Sequence, residues 1–176
     1  MHEVPKLAAK VIGALAEQAI AVQDSIHRLE RDLLAWYRSN DLARRIATVP
    51  GVGLLGATAL AATVTDPSPF RSGRQFAAWL GLTPLNSCSG GKERLGRISK
   101  MGDQYLRRLL VTGMTSLVRR NKHHPSAADP RLNALLARKP LRLATVAMAN
   151  RAARAIWAIM VRGEVYRTPA LGTAAV

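Results

Sequence analysis

A heptad repeat of small and branched apolar residues runs through the first 38 residues. The apolar positions recur in steps of four and three over four repeats, which is the pattern of a helix that packs against a partner helix. Over ~30 residues such a helix reaches about 45 Å, longer than a small domain is wide. The pattern predicts a long oligomerisation helix, with an intramolecular helical hairpin as the alternative. The seam consists of Ala8, Ile12, Leu15, Ala19, Val22, Ile26, Leu29, Leu33 and Trp36.

Helical periodicity resumes after a polar turn at residues 39–41 and predicts helices near 55–64, 72–80, 103–120, 131–137 and 141–161. We therefore expect an all-α fold: a long N-terminal coiled-coil helix (1–40), a compact helical domain (41–166) and a flexible tail (167–176). Ser72 is expected to cap the helix that Gly81 ends. The predicted inward stripe of the last helix is Leu143, Val146, Ala147, Asn150, Ala153 and Trp157.

The charge balance points to a polyanionic partner. The chain has 26 Lys and Arg residues against 11 Asp and Glu residues, a formal net charge of +15. Nucleic acid is the commonest partner of so basic a chain, although a ribosomal or anionic-membrane role fits the charge equally well. The single cysteine excludes a disulfide framework and a CxxC zinc pair. With no signal-peptide pattern and no long apolar run, we expect a soluble, cytoplasmic protein.

A glycine-rich turn lies between the first two helices of the predicted domain. The sequence Val-Pro-Gly-Val-Gly at 49–53 separates two apolar helical segments, which is the helix-hairpin-helix pattern. Gly51 and Gly53 would free the backbone to present amide N–H groups to a phosphate at a helix N-terminus. Such binding would be independent of base sequence. The alternative is an ordinary tight turn between two helices.

The most chemically suggestive stretch runs from Gly81 to Arg108. It contains Ser87-Cys88-Ser89-Gly90-Gly91 and then becomes strongly basic. A hydroxyl on a flexible glycine loop, followed by cations, suits attack on a phosphodiester, because the cations hold the phosphate and offset developing charge. The alternative is a surface loop that binds phosphate and has no catalytic role. The candidate phosphate ligands are Lys92, Arg94, Arg97, Lys100, Arg107 and Arg108.

For three other features we expect a structural role rather than a catalytic or ligand-binding one. Phe70, Phe76 and Trp79 have helical spacing, so we expect core packing rather than base stacking. Adjacent His123 and His124 lack a third ligand at useful spacing, so we expect a loop rather than a metal site. Beyond the N-terminal helix the carboxylates are scattered singly. Because metal-dependent nucleases cluster three or four carboxylates, we expect these residues to form no metal site and no self-contained metal nuclease.

Several motifs, in order, carry a family resemblance that covers roughly residues 41–166. The chain resembles the C-terminal domain of the insertion-sequence 110/116/902 family of transposases, the bridge-RNA-guided recombinases. The matching segments are VPGVG at 49–53, FRSGRQFAAWL at 70–80, GLTP at 81–84, SGGK at 89–92, GRISKMG at 96–102 and LRR at 106–108.

The resemblance implies a nucleophile and a missing half. In that family the nucleophilic serine directly precedes glycine, a position that Ser89 holds here, with Ser87 the weaker candidate. Family members also carry a RuvC-like domain whose Asp-Glu-Asp-Asp set binds Mg²⁺, joined to the serine domain by a coiled coil. This sequence starts at the coiled coil, so we expect no bound cofactor of its own and no cleavage by the chain alone.

The resemblance also implies partners. They are DNA, a guide RNA, a second copy of the chain through the N-terminal helix and a separate RuvC-like domain, with no membrane. Two rival classes stay open. One is a non-catalytic nucleic-acid-binding module, such as a transposase remnant or regulator. The other is an RNA-binding or ribosome-associated basic protein.

Overall fold

The computed structural model describes residues 5–89, 92–124 and 129–167. Within them the fold is mostly helical, as predicted, with one small antiparallel hairpin. Gly90, Gly91, Pro125 and most of the predicted tail lie outside the described residues. In chain order the elements are α1 (Lys6–Ser39), α2 (Asp41–Ile46), α3 (Leu54–Thr63), α4 (Gly73–Trp79), β1 (Pro84–Ser89), β2 (Lys92–Ile98), α5 (Gln104–His123), α6 (Pro130–Arg138) and α7 (Leu141–Arg162).

Helix α1 forms a structural unit by itself and confirms the predicted long N-terminal helix. It has 34 residues, none of them buried. Most of the apolar seam is solvent-exposed: Ile12 is 58% exposed, Leu15 59% and Leu29 68%. Since nothing within this unit covers the seam, its role in oligomerisation stays a prediction.

The residues from Asn40 onward form the second unit, and four of its helices begin at a capping side chain, the predicted cap Ser72 among them. The Asn40 side chain accepts a hydrogen bond from the Ala43 backbone N–H, and Ser72 accepts one from Gln75. Asp103 and Asp129 cap α5 and α6 in the same way. These side chains satisfy backbone donors that a helix leaves unpaired, so the boundaries are encoded locally.

The core of the second unit lies where α5 and α4 pack on α7. Helix α5 contributes Leu106, Leu110, Met114 and Val118, each at most 1% exposed. Leu109, Gly113 and Leu117, which continue the same apolar face, are only partly buried. Their positions follow the helical period, so the buried stripe is narrower than the apolar one.

The predicted inward stripe of α7 is only partly right, because Asn150 and Trp157 donate hydrogen bonds to the Leu82 and Phe70 carbonyls but two other members are exposed. Leu143 is 52% exposed and Ala147 is exposed, whereas Ala153 is buried as expected. Small side chains allow the backbone of α7 to approach its neighbours closely, and this favours the alanine-rich face over the larger Leu143. The buried residues of α7 are Ala144, Thr145, Ala149, Ala152, Ala153, Ile156 and Ile159.

The aromatic residues before the hairpin pack against one another. The ring centroids of Phe70 and Phe76 are 5.1 Å apart, and those of Phe76 and Trp79 are 5.7 Å apart. Trp157 of α7 donates its indole N–H to the Phe70 carbonyl at 3.1 Å. Phe76 is fully buried, which confirms the prediction that these residues form part of the core.

The central stretch differs from the predicted glycine loop, because it contains two strands. β1 and β2 pair in antiparallel register, with Pro84 opposite Ile98 and Asn86 opposite Leu95, and a register shift lies between these pairs. Gly90 and Gly91 separate the strands in the sequence, a spacing typical of a tight hairpin. The periodicity of the sequence was too short and too polar to reveal this pairing.

No helix in the described part of the chain is both long enough and apolar enough to cross a lipid bilayer.

Candidate nucleic-acid interface

The glycine-rich segment between α2 and α3 is a tight turn with a defined geometry. Val52 donates its backbone N–H to the Val49 carbonyl at 3.0 Å, and Gly51 has a φ of +83°. Proline at the second position and a positive-φ glycine at the third are the requirements of a type II turn. The sequence Val49-Pro50-Gly51-Val52 therefore fixes the local direction of the chain.

This turn packs directly on α5. A methyl group on Gly113 would overlap the Gly51 carbonyl oxygen and lie 3.2 Å from the Gly51 carbonyl carbon. In return, a side chain on Gly51 would lie 2.6 Å from the Met114 methyl carbon. Gly113 is required by this close approach of two backbones and Gly51 by its positive φ, so the turn is held against the long helix.

The start of α3 is open on its outer side. Gly53 is the N-cap residue, is exposed, and provides no side-chain hydrogen bond. The first turn of a helix leaves backbone N–H groups without intrahelical acceptors. A side chain on Gly53 would meet no atom within 4 Å. Gly51 and Gly53 therefore differ: the first packs on α5, and the second leaves room beside the helix N-terminus.

The hairpin places each candidate serine opposite a basic residue. The backbone register pairs Ser89 with Lys92 and Ser87 with Arg94, while Cys88 pairs with Glu93. These side chains lie outside the described part of the structure, so the pairing is a statement about backbone positions. Because paired residues across an antiparallel ladder are neighbours, the arrangement is compatible with a hydroxyl beside a cation.

The base of the hairpin is continued by two backbone hydrogen bonds. Ser99 donates to the Thr83 carbonyl at 2.9 Å, and Lys100 donates to the Gly81 carbonyl at 3.1 Å. Lys100 is exposed and has a φ of +56°, which is uncommon for a residue with a side chain. Gly102 has a φ of +87°, and a methyl group there would overlap the Trp79 carbonyl oxygen. The segment entering α5 is thus pressed against the end of α4.

Arg107 connects the end of α4 to the segment before α5 through hydrogen bonds. Its Nη1 donates to the Leu80 carbonyl at 2.9 Å and to the Met101 carbonyl at 3.3 Å. One guanidinium nitrogen therefore ties the C-terminus of α4 to the segment before α5. The predicted phosphate contact of Arg107 stays a prediction, but the observed bonds give this arginine a structural role beneath the hairpin. The sequence offered no sign of it.

The two neighbouring arginines, Arg107 and Arg108, allow these roles to be separated. We expect Arg107→Ala to lower the free energy of unfolding by about 1.5–3 kcal/mol, because charged hydrogen bonds to the Leu80 and Met101 carbonyls are lost. Arg108 is exposed, so Arg108→Ala should change stability by less than about 0.5 kcal/mol. Urea unfolding monitored by circular dichroism measures both. Equal stability of the two variants would contradict the structural role of Arg107.

Unpaired cations cover the surface of this unit. Asp41 pairs with Arg44 and Arg45, and Asp129 lies 4.0 Å from Arg151. Other cations are exposed and form no ion pair in the described ranges, so their charge is available to an anionic partner. They include the predicted ligands Arg97, Lys100 and Arg108, together with Arg119, Arg120 and Lys122.

Carboxylates do not converge among the residues that the structure describes. Among residues 5–89, 92–124 and 129–167, no three His, Cys, Asp or Glu side chains lie close enough to hold a metal ion. Asp66 instead closes a local turn, where hydrogen bonds from the Ser68 hydroxyl and backbone N–H lower the pKa of its carboxyl. The described carboxylates therefore do not fit a Mg²⁺ site.

The fold defines the class of this protein. It is a mostly helical domain with a strongly basic surface and an exposed glycine turn. Several of its relatives are named as transposases. The chain is 40% identical over 164 residues to a probable family 20 transposase of Pseudomonas aeruginosa, covering 93% of this chain and 48% of the relative. It is 40% identical over 169 residues to a putative transposase of Sinorhizobium fredii, covering 93% and 43%.

A third relative, the transposase of insertion sequence element IS1111A from Coxiella burnetii, is 37% identical over 158 residues, covering 90% of this chain and 43% of the relative. Residues 43–136 match the profile of the transposase IS116/IS110/IS902 family. The chain belongs to this family, which confirms the resemblance seen in its motifs. It spans about half or less of the length of these relatives.

Proposed function

We propose that this chain is the DNA-binding, serine-bearing part of an insertion-sequence transposase that acts in the cytoplasm. The observation that carries the proposal is the hairpin register, which sets Ser89 opposite Lys92 at the tip of a basic hairpin. Family membership supports DNA as the substrate. The exposed cations Arg97, Lys100 and Arg108 would position the phosphate backbone, since such contacts fix register without reading sequence.

The chemistry would be a transesterification. The Ser89 hydroxyl oxygen attacks a phosphodiester phosphorus, so that an O–P bond forms while the bond to the 3′-oxygen breaks. The serine proton leaves to solvent or a base, and the departing 3′-oxygen takes up a proton to give a 3′-hydroxyl. The product is a phosphoserine link that a second 3′-hydroxyl can reverse, which gives strand exchange. Lys92 and Arg94 would offset charge on the phosphoryl oxygens.

The second part of the proposal concerns partners. The described residues hold no Mg²⁺ ligand set, so the metal chemistry of a RuvC-like domain would come from other residues or another chain. The exposed seam of α1 would join two copies and bring such halves together. A guide RNA would then supply target choice. We expect these 176 residues alone to bind DNA without cleaving it.

The alternative function is a non-catalytic nucleic-acid-binding module, acting as a transposase remnant or regulator. The uncapped start of α3 beside Gly53 favours it, because a helix N-terminus can hold a phosphate oxygen without any nucleophile. This alternative would make Ser89 dispensable in every assay.

A mixing experiment tests the proposal. The chain is combined with a separately produced Asp-Glu-Asp-Asp domain, Mg²⁺, and the RNA and labelled DNA of the element. We expect a denaturation-resistant protein–DNA adduct, detected by gel electrophoresis and mapped to the hairpin peptide by mass spectrometry. DNA binding without any adduct would favour the non-catalytic module. An adduct formed by the chain alone would contradict the need for a second domain.

DNA binding has its own expected signature. Each phosphate contact releases condensed counterions, so the logarithm of the association constant falls linearly with the logarithm of the salt concentration. We expect the magnitude of this negative slope to be smaller by about one in Arg108→Ala, because one phosphate contact is lost. Fluorescence anisotropy with a short duplex at several salt concentrations measures it. A slope unchanged by this substitution would remove Arg108 from the interface.

A further inference from the structure

A cavity of about 510 Å³ opens in the second unit, and no described side chain of the serine hairpin lines it. The turn before α3, the C-terminal half of α5, the start of α6 and the middle of α7 line it. Its volume is within the ~300–1,000 Å³ typical of small-molecule and cofactor sites. None of the predicted functional residues whose side chains the structure describes lies in its lining, and no part of the proposed reaction uses it.

The floor of the cavity is apolar and adaptable. Met114, Leu117, Leu132 and Met148 line it. Thioether side chains are polarisable and pack favourably against aromatic ring faces. Tyr166 adds an aromatic ring to the lining, and its backbone N–H is anchored on the Thr48 hydroxyl at 2.9 Å. A flat, aromatic ligand suits these walls better than an aliphatic chain does.

The polar groups of the cavity favour an anion that also carries hydrogen-bonding edges. Arg120 and Arg151 lie in the lining against a single carboxylate, Asp129. Asp129 is 4.0 Å from Arg151, whereas Arg120 forms no ion pair in the described part of the chain. The lining therefore carries more positive than negative charge through the exposed Arg120, which is complementary to a phosphate.

Asn121 supplies the second polar element. It is buried, with 7% of its surface exposed, and its amide nitrogen donates to the Asn133 side-chain oxygen at 2.7 Å. Its own carbonyl oxygen has no hydrogen-bond partner among residues 5–89, 92–124 and 129–167. Carboxamide side chains match the donor and acceptor pattern of nucleobase edges. A buried amide that lines a cavity and is half satisfied is suited to such an edge.

We infer that this cavity binds one unstacked nucleotide of a single-stranded nucleic acid. The base lies between Tyr166 and Met148 with an edge at Asn121, and its phosphate contacts Arg120. This assignment rests on the proposed function only in requiring that the chain binds nucleic acid. It adds a single-strand site that shares Val49 and Pro50 with the glycine turn and that no described side chain of the serine hairpin lines.

Filling the cavity tests the inference. Ala155 lines the cavity on α7, and Ala147 is exposed on the same helix outside the lining. Ala155→Phe should fill the space that the base occupies. Ala147→Phe is the control, because it adds the same side chain at an exposed position outside the cavity. The probes are DNA and RNA single strands of about 12 nucleotides carrying 5-iodouracil, and the matching DNA duplex. Tyr166→Leu provides a second variant that removes stacking without filling the space.

We expect Ala155→Phe and Tyr166→Leu to weaken single-strand binding by about tenfold, as loss of one base–aromatic stack does. Ala147→Phe should bind like the parent chain, and duplex affinity should be unchanged in all variants. Photocrosslinks should map to Tyr166 or Met148. The tighter of the DNA and RNA probes identifies the sugar that the site accepts.

Equal single-strand affinity in both cavity variants, with crosslinks elsewhere, would overturn the nucleotide site while leaving the proposed function intact if duplex binding persists. Failure of the parent chain to bind any nucleic acid would overturn both. Parallel loss of duplex affinity in Ala155→Phe and Tyr166→Leu would show a general effect on the fold rather than a single-strand site.

Discussion

Replacing Ser89 by alanine should abolish the covalent protein–DNA adduct, a loss of at least about a thousandfold, because in the proposed reaction the Ser89 hydroxyl supplies the attacking oxygen. DNA affinity should not change, since a neutral hydroxyl contributes little beside so many cations. Gel electrophoresis of the reconstituted reaction measures the adduct, and fluorescence anisotropy measures the binding. The two together separate chemistry from recognition.

Ser87→Ala is the matched control for this prediction. Ser87 also stands opposite a cation, Arg94, in the same hairpin register, so the substitution removes an equivalent hydroxyl two residues away. An adduct that survives Ser87→Ala and is lost in Ser89→Ala assigns the nucleophile to Ser89. The reverse pattern would move it to Ser87. An adduct retained in both variants would exclude either serine.

Gly113→Ala should lower the free energy of unfolding by about 2–4 kcal/mol, which is opposite in sign to the effect expected from helix propensity. In the interior of a free helix, glycine is about 0.5–1 kcal/mol worse than alanine. Here the new methyl group would overlap the Gly51 carbonyl oxygen, and two packed backbones cannot separate without disturbing the core. Thermal unfolding should shift downward by roughly 10 °C.

Gly13→Ala is the control for that substitution. Gly13 is also inside a helix, but a methyl group there would meet no atom within 4 Å. We expect helical content to be kept or increased and the melting of the second unit to stay unchanged. A Gly113→Ala variant as stable as its parent would show that the turn at Gly51 does not pack on α5. The affinity of folded Gly113→Ala for duplex DNA is a separate measurement. A weaker affinity than that of the parent chain would show that the position of the turn matters for DNA binding.

Much of the fold could be predicted because the signals are local. The long helix α1 follows from its heptad pattern, and the helix starts at Asn40 and Ser72 follow from capping side chains. The core role of Phe76 follows from its spacing. The family also could be predicted, because its motifs are short runs whose order survives without knowledge of the structure.

Other features could not be predicted because they depend on contacts between distant segments. The strands β1 and β2 are polar and short, so pairing rather than periodicity defines them. The inward face of α7 is set by how closely alanines let neighbouring helices approach, not by which residues are most apolar. Arg107 looks like any surface cation until its nitrogen is seen on two backbone carbonyls.

The sequence by itself determined the helices, their caps, the basic charge and the motifs that identify the family, because each is encoded in neighbouring residues. The tertiary structure alone decided which glycines are irreplaceable and where a cavity forms. Gly51 and Gly113 are far apart in sequence, and their contact exists only because α5 crosses the turn. Asn121 and Tyr166 line one cavity for the same reason: folding brings together side chains that no local pattern relates.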